Sequence, residues 1–561
     1  MNIGIDLGTT NSLVAVFDKG NAEIVENRLG ERLTPSAVAV DEDGTVLVGK
    51  SAKEYGILHP ERTAEVFKRF IGSDKQYNLG GKLFRPEDLS ALVLKSLKED
   101  VEKKYGEKVV EAVISVPAYF DDDRRKATKL AGQLAGLKVE RIISEPTAAA
   151  ITYGLYDKKD YTRFLVFDLG GGTFDVSILE LSKDILEVRA VAGDNYLGGE
   201  NFTDLIYESI FSKLNIDKDK CDRKTLSGIR EAAENIKTEL SDKALISSKI
   251  IIDGKEKEYS LSEREFEEMS QPLLDKLRGP LQRSINDARI KLSDIDEVVL
   301  VGGATRMPVI RKFLSRLFRK FPDTMINPDE AVAIGTCIQA AMKERRAEVK
   351  EIILTDVCGF SLGVQVSVGR EDGSFESGHF SPIIERNTVI PASRTEIYYT
   401  THDDQEVVDI EVYQGESRKV SNNLYLGDLS VNVPKNLAGM EKIEVTFTYD
   451  INAILEVEVR ILSTGQVTTK LFKGRYNRMT DEEIAERMKQ LSYLKIAPRD
   501  LEENRLLLIR AERAYEESLG SDRALIEEAV TAFEEALEKR DKAFIFNSKK
   551  KLIEIINQNN I

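Results

Sequence analysis

Two short stretches of this sequence place an aspartate beside a run of glycine and threonine. Asp6-Leu7-Gly8-Thr9-Thr10 closes the apolar run Ile3-Gly4-Ile5, and Asp168-Leu169-Gly170-Gly171-Gly172-Thr173 closes Phe164-Leu165-Val166-Phe167. Glycine lets backbone N–H groups approach phosphate oxygens with no side chain in the way, and threonine hydroxyls add donors. A carboxylate at the end of each run suits Mg2+, which prefers oxygen ligands and keeps part of its water shell. The chemistry this combination offers is the holding of a phosphate–metal pair between two related units. A third glycine turn, Gly302-Gly303-Ala304-Thr305-Arg306, follows Val298-Val299-Leu300-Val301 and precedes helical sequence, which suits the adenosine side of a nucleotide.

The elements that must position these residues are strand–turn–strand units. The first copy continues into Val14-Ala15-Val16-Phe17 and the second into Val176-Ser177-Ile178-Leu179, with Asp6 and Asp168 in equivalent places. One such unit is an ordinary hairpin; its repetition argues for two related lobes. Gly44-Thr45-Val46-Leu47-Val48-Gly49-Lys50-Ser51 satisfies the Walker A pattern literally, but its middle is a β-prone apolar run where a phosphate cradle needs a loop. It is expected to be structural.

At 561 residues the chain exceeds one compact core, and 42% hydrophobic with 31% charged residues describes a soluble multidomain protein. A net charge of −16 argues against nucleic-acid or anionic-membrane partners. No apolar run approaches the roughly 18 residues of a membrane span, and Met1-Asn2 leads straight into strand-like sequence, so a cytoplasmic location is expected. Cys221, Cys337 and Cys358 are too dispersed for a disulfide framework or zinc site, and His59, His379 and His402 give little material for a histidine metal cluster.

Further motifs carry a resemblance: Gly4 to Ser12, Val116-Pro117-Ala118-Tyr119-Phe120, Glu145-Pro146-Thr147-Ala148-Ala149-Ala150, the Asp168 hairpin, Gly302-Gly303, and Asn327-Pro328-Asp329-Glu330-Ala331-Val332-Ala333. Together they resemble the heat-shock-seventy, or DnaK-type, chaperones within the superfamily of actin-like ATPases. The resemblance implies a multidomain chain. An α/β actin-like ATPase domain, a duplicated ribonuclease-H-like fold, covers residues 1–347; a linker covers 348–357, a β-sandwich peptide-binding domain 358–474, and a short α-helical lid 475–561. It implies ATP or ADP with Mg2+, and K+ as a further candidate ion.

Carried over residue by residue, the resemblance makes Asp6 and Asp168 the metal residues and Lys68, Glu145, Asp168 and Thr173 the catalytic ones, Lys68 orienting the attacking water and the γ-phosphate. Thr9, Thr10, Gly170, Gly171, Gly172 and Thr173 are implied phosphate contacts, and Gly198, Gly199, Glu234, Lys237, Ser241, Gly302, Gly303, Arg306 and Asp329 the rest of the nucleotide set. Ala304 lacks the polar side chain often found at its position. Taken alone, Lys68 reads as a surface lysine, Glu145 as a carboxylate ending an element before Pro146, and Glu234 with Lys237 as a solvated i, i+3 pair.

In the second half, Val349 to Val357 is a short apolar run bracketed by charge, similar to the family's nucleotide-sensitive linker. Strand-like runs with polar turns follow, among them Val364-Gln365-Val366, Val407 to Val412, Ile443 to Phe447 and Leu455 to Val459. The resemblance places Val364, Val366, Ile397, Val408, Ile410 and Ile454 around a channel for extended peptide, with Ser367 and Thr401 standing where the arch usually carries Met and Ala. From Thr480 the chain reads as helices: Thr480 to Glu483 form a capping box, Pro498 breaks the first helix, and Gly520-Ser521-Asp522 separates later ones.

Unfolded or extended polypeptides are the implied clients. Arg141 and Asp356 occupy positions like those that contact a J-domain, so a J-domain co-chaperone is an expected partner, and exchange-factor docking is left open by abbreviated lobe insertions. A metabolite kinase or a filament-forming ATPase is the alternative, but neither needs the sandwich, linker and lid. The abbreviated lobes and lid resemble the HscC group of bacterial chaperones. A short lid predicts fast peptide exchange; dissociation of a labelled peptide as slow as from a full-lidded relative would contradict it.

Overall fold

The computed structural model describes residues 1–154, 161–182, 185–252, 255–322, 326–344, 353–369, 375–450, 454–472, 486–488, 495–496, 502–539 and 542–558. The first part of the expected linker (348–352), the capping box at 480–483, Pro498 and the last residues 559–561 lie outside the described residues.

The two aspartate–glycine units occupy the same topological place in two sheets. Asn2–Asp6 runs parallel to Glu111–Val116 on one side and on the other begins the antiparallel meander Asn11–Asp18 and Asn21–Ile24. Tyr161–Leu169 runs parallel to Glu297–Val301 and begins the meander Phe174–Ser182 and Ile185–Asp194. These strands are near-continuous apolar runs because both faces are covered: Phe164, Leu165, Val166 and Phe167 are all buried. The Walker-like stretch holds the buried strand Thr45–Val48 followed by helix Lys50–Leu58, with the Asp41 side chain accepting the Thr45 N–H at 2.8 Å in the turn before it.

Helices Glu145–Gly154 and Ala331–Lys343 cross between the two sheets. Their approach is so close that a Cβ on Gly335 would lie 1.8 Å from the Ala148 carbonyl oxygen, and one on Gly4 would lie 2.2 Å from the Cys337 nitrogen. Small residues here let the lobes meet backbone to backbone.

The second half contains two four-stranded sheets, one built from Leu362–Gly369, Phe375–Ile384, Val407–Gln414 and Leu424–Asn432, the other from Ala392–Tyr399, Lys442–Tyr449, Leu455–Ile461 and Val467–Phe472. Strict alternation in Lys442–Tyr449 turns Ile443, Val445 and Phe447 inward to pack with Leu362, Val412 and Val457. Three helices, Glu502–Glu517, Gly520–Lys539 and Lys542–Gln558, bury Ala511, Ala514, Ile526, Phe533 and Leu552 among themselves. Among the described residues no helix is long and apolar enough to cross a membrane.

The halves are docked on one another. Ile353–Val357 pairs in parallel with Ile185–Glu187 on the edge of the second lobe's sheet and antiparallel with Val389–Ile390. Arg386 forms a two-point pair with Asp287 at 2.9 and 3.1 Å and also holds Glu416 at 2.6 Å. Tyr449 donates its buried hydroxyl to Asp122. Gly335→Ala is expected to destabilise the N-terminal half by about 1–3 kcal/mol through overpacking of the central helices; an unshifted urea midpoint would show that the helices part without cost.

Candidate functional site

A cavity of about 330 Å³ opens between the lobes, and both glycine hairpins face it. On its floor Lys68 donates Nζ to Glu145 Oε1 at 2.8 Å, with the two side chains 3% and 8% exposed. Lys68 is carried by the single turn Phe67–Phe70, whose preceding Val66 takes the left-handed φ of 56°. Glu145 opens helix Glu145–Gly154, where the helix dipole favours a negative charge. Asp6 Oδ1 accepts from Ser115 Oγ at 2.7 Å, while Asp168 Oδ2 is buried with no hydrogen-bond partner.

Electrostatics mark this floor as short of positive charge. Burial and then the Glu145 carboxylate push Asp6 up to about 7 and Asp175 to about 8, with Lys68 offsetting part of the rise in each. Burial and the same neighbour hold Asp168 well above the usual carboxylate range. The orphaned Asp168 oxygen and these crowded carboxyls fit a divalent cation held by Asp6 and Asp168. Among the described residues no group of three or more His, Cys, Asp or Glu forms a metal-ligand cluster.

The two hairpins touch where phosphates would lie. A Cβ on Gly171 would sit 1.9 Å from Thr10 Oγ1, and one on Gly172 would sit 2.6 Å from Thr9 Cγ2, so side chains there would fill the cradle. Gly198 packs on the Gly171 carbonyl, the Gly199 N–H donates to Gly170 O at 2.8 Å, and Thr173 closes the turn by accepting the Gly170 N–H at 3.1 Å.

Helix Arg223–Glu239 forms the opposite wall. Lys237 Nζ donates to Glu234 Oε2 at 2.6 Å and to Thr203 Oγ1 at 2.8 Å. Although burial opposes it, the Lys237 ammonium holds the Glu234 carboxyl below its ordinary range. Ser241 lies just past that helix and also lines the cavity. Gly302, at φ +83° and with no room for a Cβ against Leu169 O, turns the chain into Gly303–Arg306, where Arg306 pairs with Asp329 at 2.7 Å.

Sequence reasoning missed several members of this site. Asp175 lies directly across the hairpin from Asp168, and its counterpart in the first copy is Leu13, so comparing the repeats hides it. Arg69, beside Lys68, donates to Gly172 O at 2.8 Å and Asn201 Oδ1 at 3.0 Å and thereby ties the first lobe to the second hairpin. Lys53 lines the cavity from helix Lys50–Leu58; nothing in its local pattern separates it from its charged neighbours.

The residues expected around a peptide channel fall on both sheets of the sandwich. Val364 and Ile410 are buried in its core, Val366 and Val408 are half-buried at the margin, and Ser367 is exposed. Ile397 belongs to the other sheet and Ile454 lies just before its strand Leu455–Ile461; they are 45% and 36% exposed. Thr401, in the connection after Ala392–Tyr399, bonds His402 Nδ1 at 2.8 Å and donates its N–H to Gln405 Oε1 at 2.9 Å. Val364, Val366, Val408 and Ile410 share one apolar cluster of the sandwich. Arg141 faces Asp356: burial lowers the guanidinium's pKa and the Asp356 charge opposes that change.

The family model described as Hsp70 protein matches residues 2–79 and 75–560. Chaperone protein DnaK of Thermotoga maritima is 42% identical over 495 residues, 86% of this chain and 81% of the relative. That of Thermotoga neapolitana is 42% identical over 497 residues, covering 86% and 82%. Chaperone protein DnaK of Thermosipho africanus is 41% identical over 493 residues, covering 86% and 81%. With the family match running nearly end to end over paired aspartate–glycine hairpins, a sandwich and a helical C-terminus, this chain belongs to the Hsp70 family.

Proposed function

We propose that this chain is an ATP-dependent molecular chaperone in which ATP binding and hydrolysis between the two lobes control capture and release of extended hydrophobic segments in the sandwich. The observation that carries the reading is the buried Lys68–Glu145 pair facing two glycine hairpins across one cleft. Division into a duplicated ribonuclease-H-like ATPase domain (1–347), linker (348–357), peptide-binding sandwich (358–474) and lid (475–561) belongs to the same proposal, as does a cytoplasmic location.

In this reading Asp6 and Asp168 hold Mg2+, which supplies positive charge to the phosphates when bound. Thr9, Thr10, Thr173 and the hairpin N–H groups position the γ-phosphate, and Lys68 aligns water and stabilises charge on the transferred group. Glu145 keeps the Lys68 ammonium on station. Glu234, Lys237, Ser241 and Arg306 take the adenosine side. Docking of Ile353–Val357 on the second lobe supports a linker that couples the two ends, since the chain leading into the sandwich is part of the ATPase sheet. Unfolded polypeptides are the clients and a J-domain protein the stimulating partner. A metabolite kinase or filament protein gains no support from the sandwich and helical C-terminus.

ATP turnover of the purified protein should rise with an unstructured apolar peptide, and Lys68→Ala should cut turnover by roughly 10²- to 10³-fold while nucleotide is retained. Near-normal single-turnover hydrolysis by that variant would sink the assignment of Lys68. Arg141→Ala should lose stimulation by a J-domain with basal turnover kept; unchanged stimulation removes Arg141 from the partner surface.

A further inference from the structure

Arg513, on the C-terminal helix Glu502–Glu517, reaches carboxylates from both lobes of the N-terminal half. Its Nη2 lies 2.7 Å from Glu231 Oε2 and its Nη1 donates to Glu231 Oε1 at 3.0 Å, on helix Arg223–Glu239 of the second lobe, while Nη1 also lies 3.9 Å from Glu54 Oε2 on helix Lys50–Leu58 of the first. Glu517, one turn further along the same helix, holds Nε at 3.0 Å and so orients the guanidinium. This is more than a loose surface pair, because the Arg513, Glu54 and Glu231 side chains are only 21%, 18% and 25% exposed.

Those two helices are opposite walls of the nucleotide cleft. Lys53, beside Glu54, and Glu234, one turn from Glu231, both line it. Neighbouring contacts anchor the C-terminal helix to the first lobe: Arg510 grips Glu54 at 2.8 Å, Arg505 pairs with Asp41, and Ile509 is buried with Ala37, Ala39, Leu47, Ala52 and Tyr55. Arg513 adds the grip on the second lobe. Without this helix, which carries both Arg510 and Arg513, Glu54 and Glu231 would face each other across the cleft mouth as like charges.

We propose that Arg513 is an inter-lobe clasp: by bridging Glu54 and Glu231 it retards opening of the nucleotide cleft, so that docking of the C-terminal helix sets the rate of nucleotide release. When that helix leaves, the two carboxylates repel and the cleft opens without help from another protein. The clasp rests on the nucleotide reading of the cleft given above. Arg513 acts as a positioning residue and touches no nucleotide.

The test follows release of a slowly hydrolysed fluorescent ATP analogue from the full-length protein, chased with unlabelled ATP in a stopped-flow instrument. Arg513→Ala and Glu231→Gln should each speed release roughly three- to tenfold, and the double variant should be no faster than either single one because both remove the same bridge. Arg510→Ala, which loosens the hold on the first lobe alone, should have the smaller effect. Wild-type rates in Arg513→Ala and Glu231→Gln overturn the clasp, as do additive effects in the double variant or an Arg510→Ala effect equal to that of Arg513→Ala. Failure of the unaltered protein to bind the analogue overturns the nucleotide reading and the clasp with it.

Discussion

The carboxyl groups of Asp6, Glu145, Asp168 and Asp175 converge on one buried space with the ammonium of Lys68. In surroundings that solvate charge poorly, such an imbalance is costly unless protons or a cation offset it. Much of the N-terminal half is arranged around this constraint. Each lobe brings an aspartate to the end of a buried strand, where the sheet stops and the glycine turn begins. The lobes approach through Gly335 and Gly4 so that the carboxyls from both come within reach of a common ligand. Arg69 then holds the second hairpin from the first lobe. A cation bound among these carboxyls would relieve the imbalance.

Much of this was legible from residue types. The aspartate–glycine repeat marked two lobes because a hairpin turn seldom recurs with the same carboxylate in the same place, and the structure puts both copies at matching points of matching meanders. Alternation marked the sandwich strands for the same reason that Ile443, Val445 and Phe447 share its interior. What stayed hidden depends on three-dimensional register. Asp175 faces Asp168 only once the hairpin closes, and Val364 and Ile410 differ from Ile397 and Ile454 in packing rather than in chemistry. The docking contacts were hidden too, because Arg386 meets Asp287, and Arg513 meets Glu231, across long stretches of chain.

The interface between the halves is mainly polar. Among the described residues its members include the Arg386–Asp287–Glu416 cluster, Asn387 with Asp287 at 2.9 Å, and Tyr449 with Asp122, supplemented by the Tyr119 and Phe360 rings at 4.3 Å. The charged pairs among them are partly open to solvent and are screened by salt, whereas the Tyr449–Asp122 bond is buried. The three terminal helices share an apolar core among themselves and meet the first lobe through both arginine contacts and the buried Ile509. Each half is held internally by burial and to its neighbour by a mixture of charged pairs, strand pairing and a few buried contacts, which suits a molecule whose parts separate and rejoin.

Ile353–Val357 is a member of two ladders at once, with Ile185–Glu187 on one side and Val389–Ile390 on the other. Its residues 353–355 make the first ladder and 356–357 the second, so this one strand caps both segments. If the strand peels away, both flanking segments are left with unpaired N–H and C=O groups at a sheet margin that carries the exposed Ile185 and Val389 side chains. The undocked molecule therefore carries an adhesive margin of its own. For a protein that works among unfolded chains, keeping that margin covered guards it against self-association.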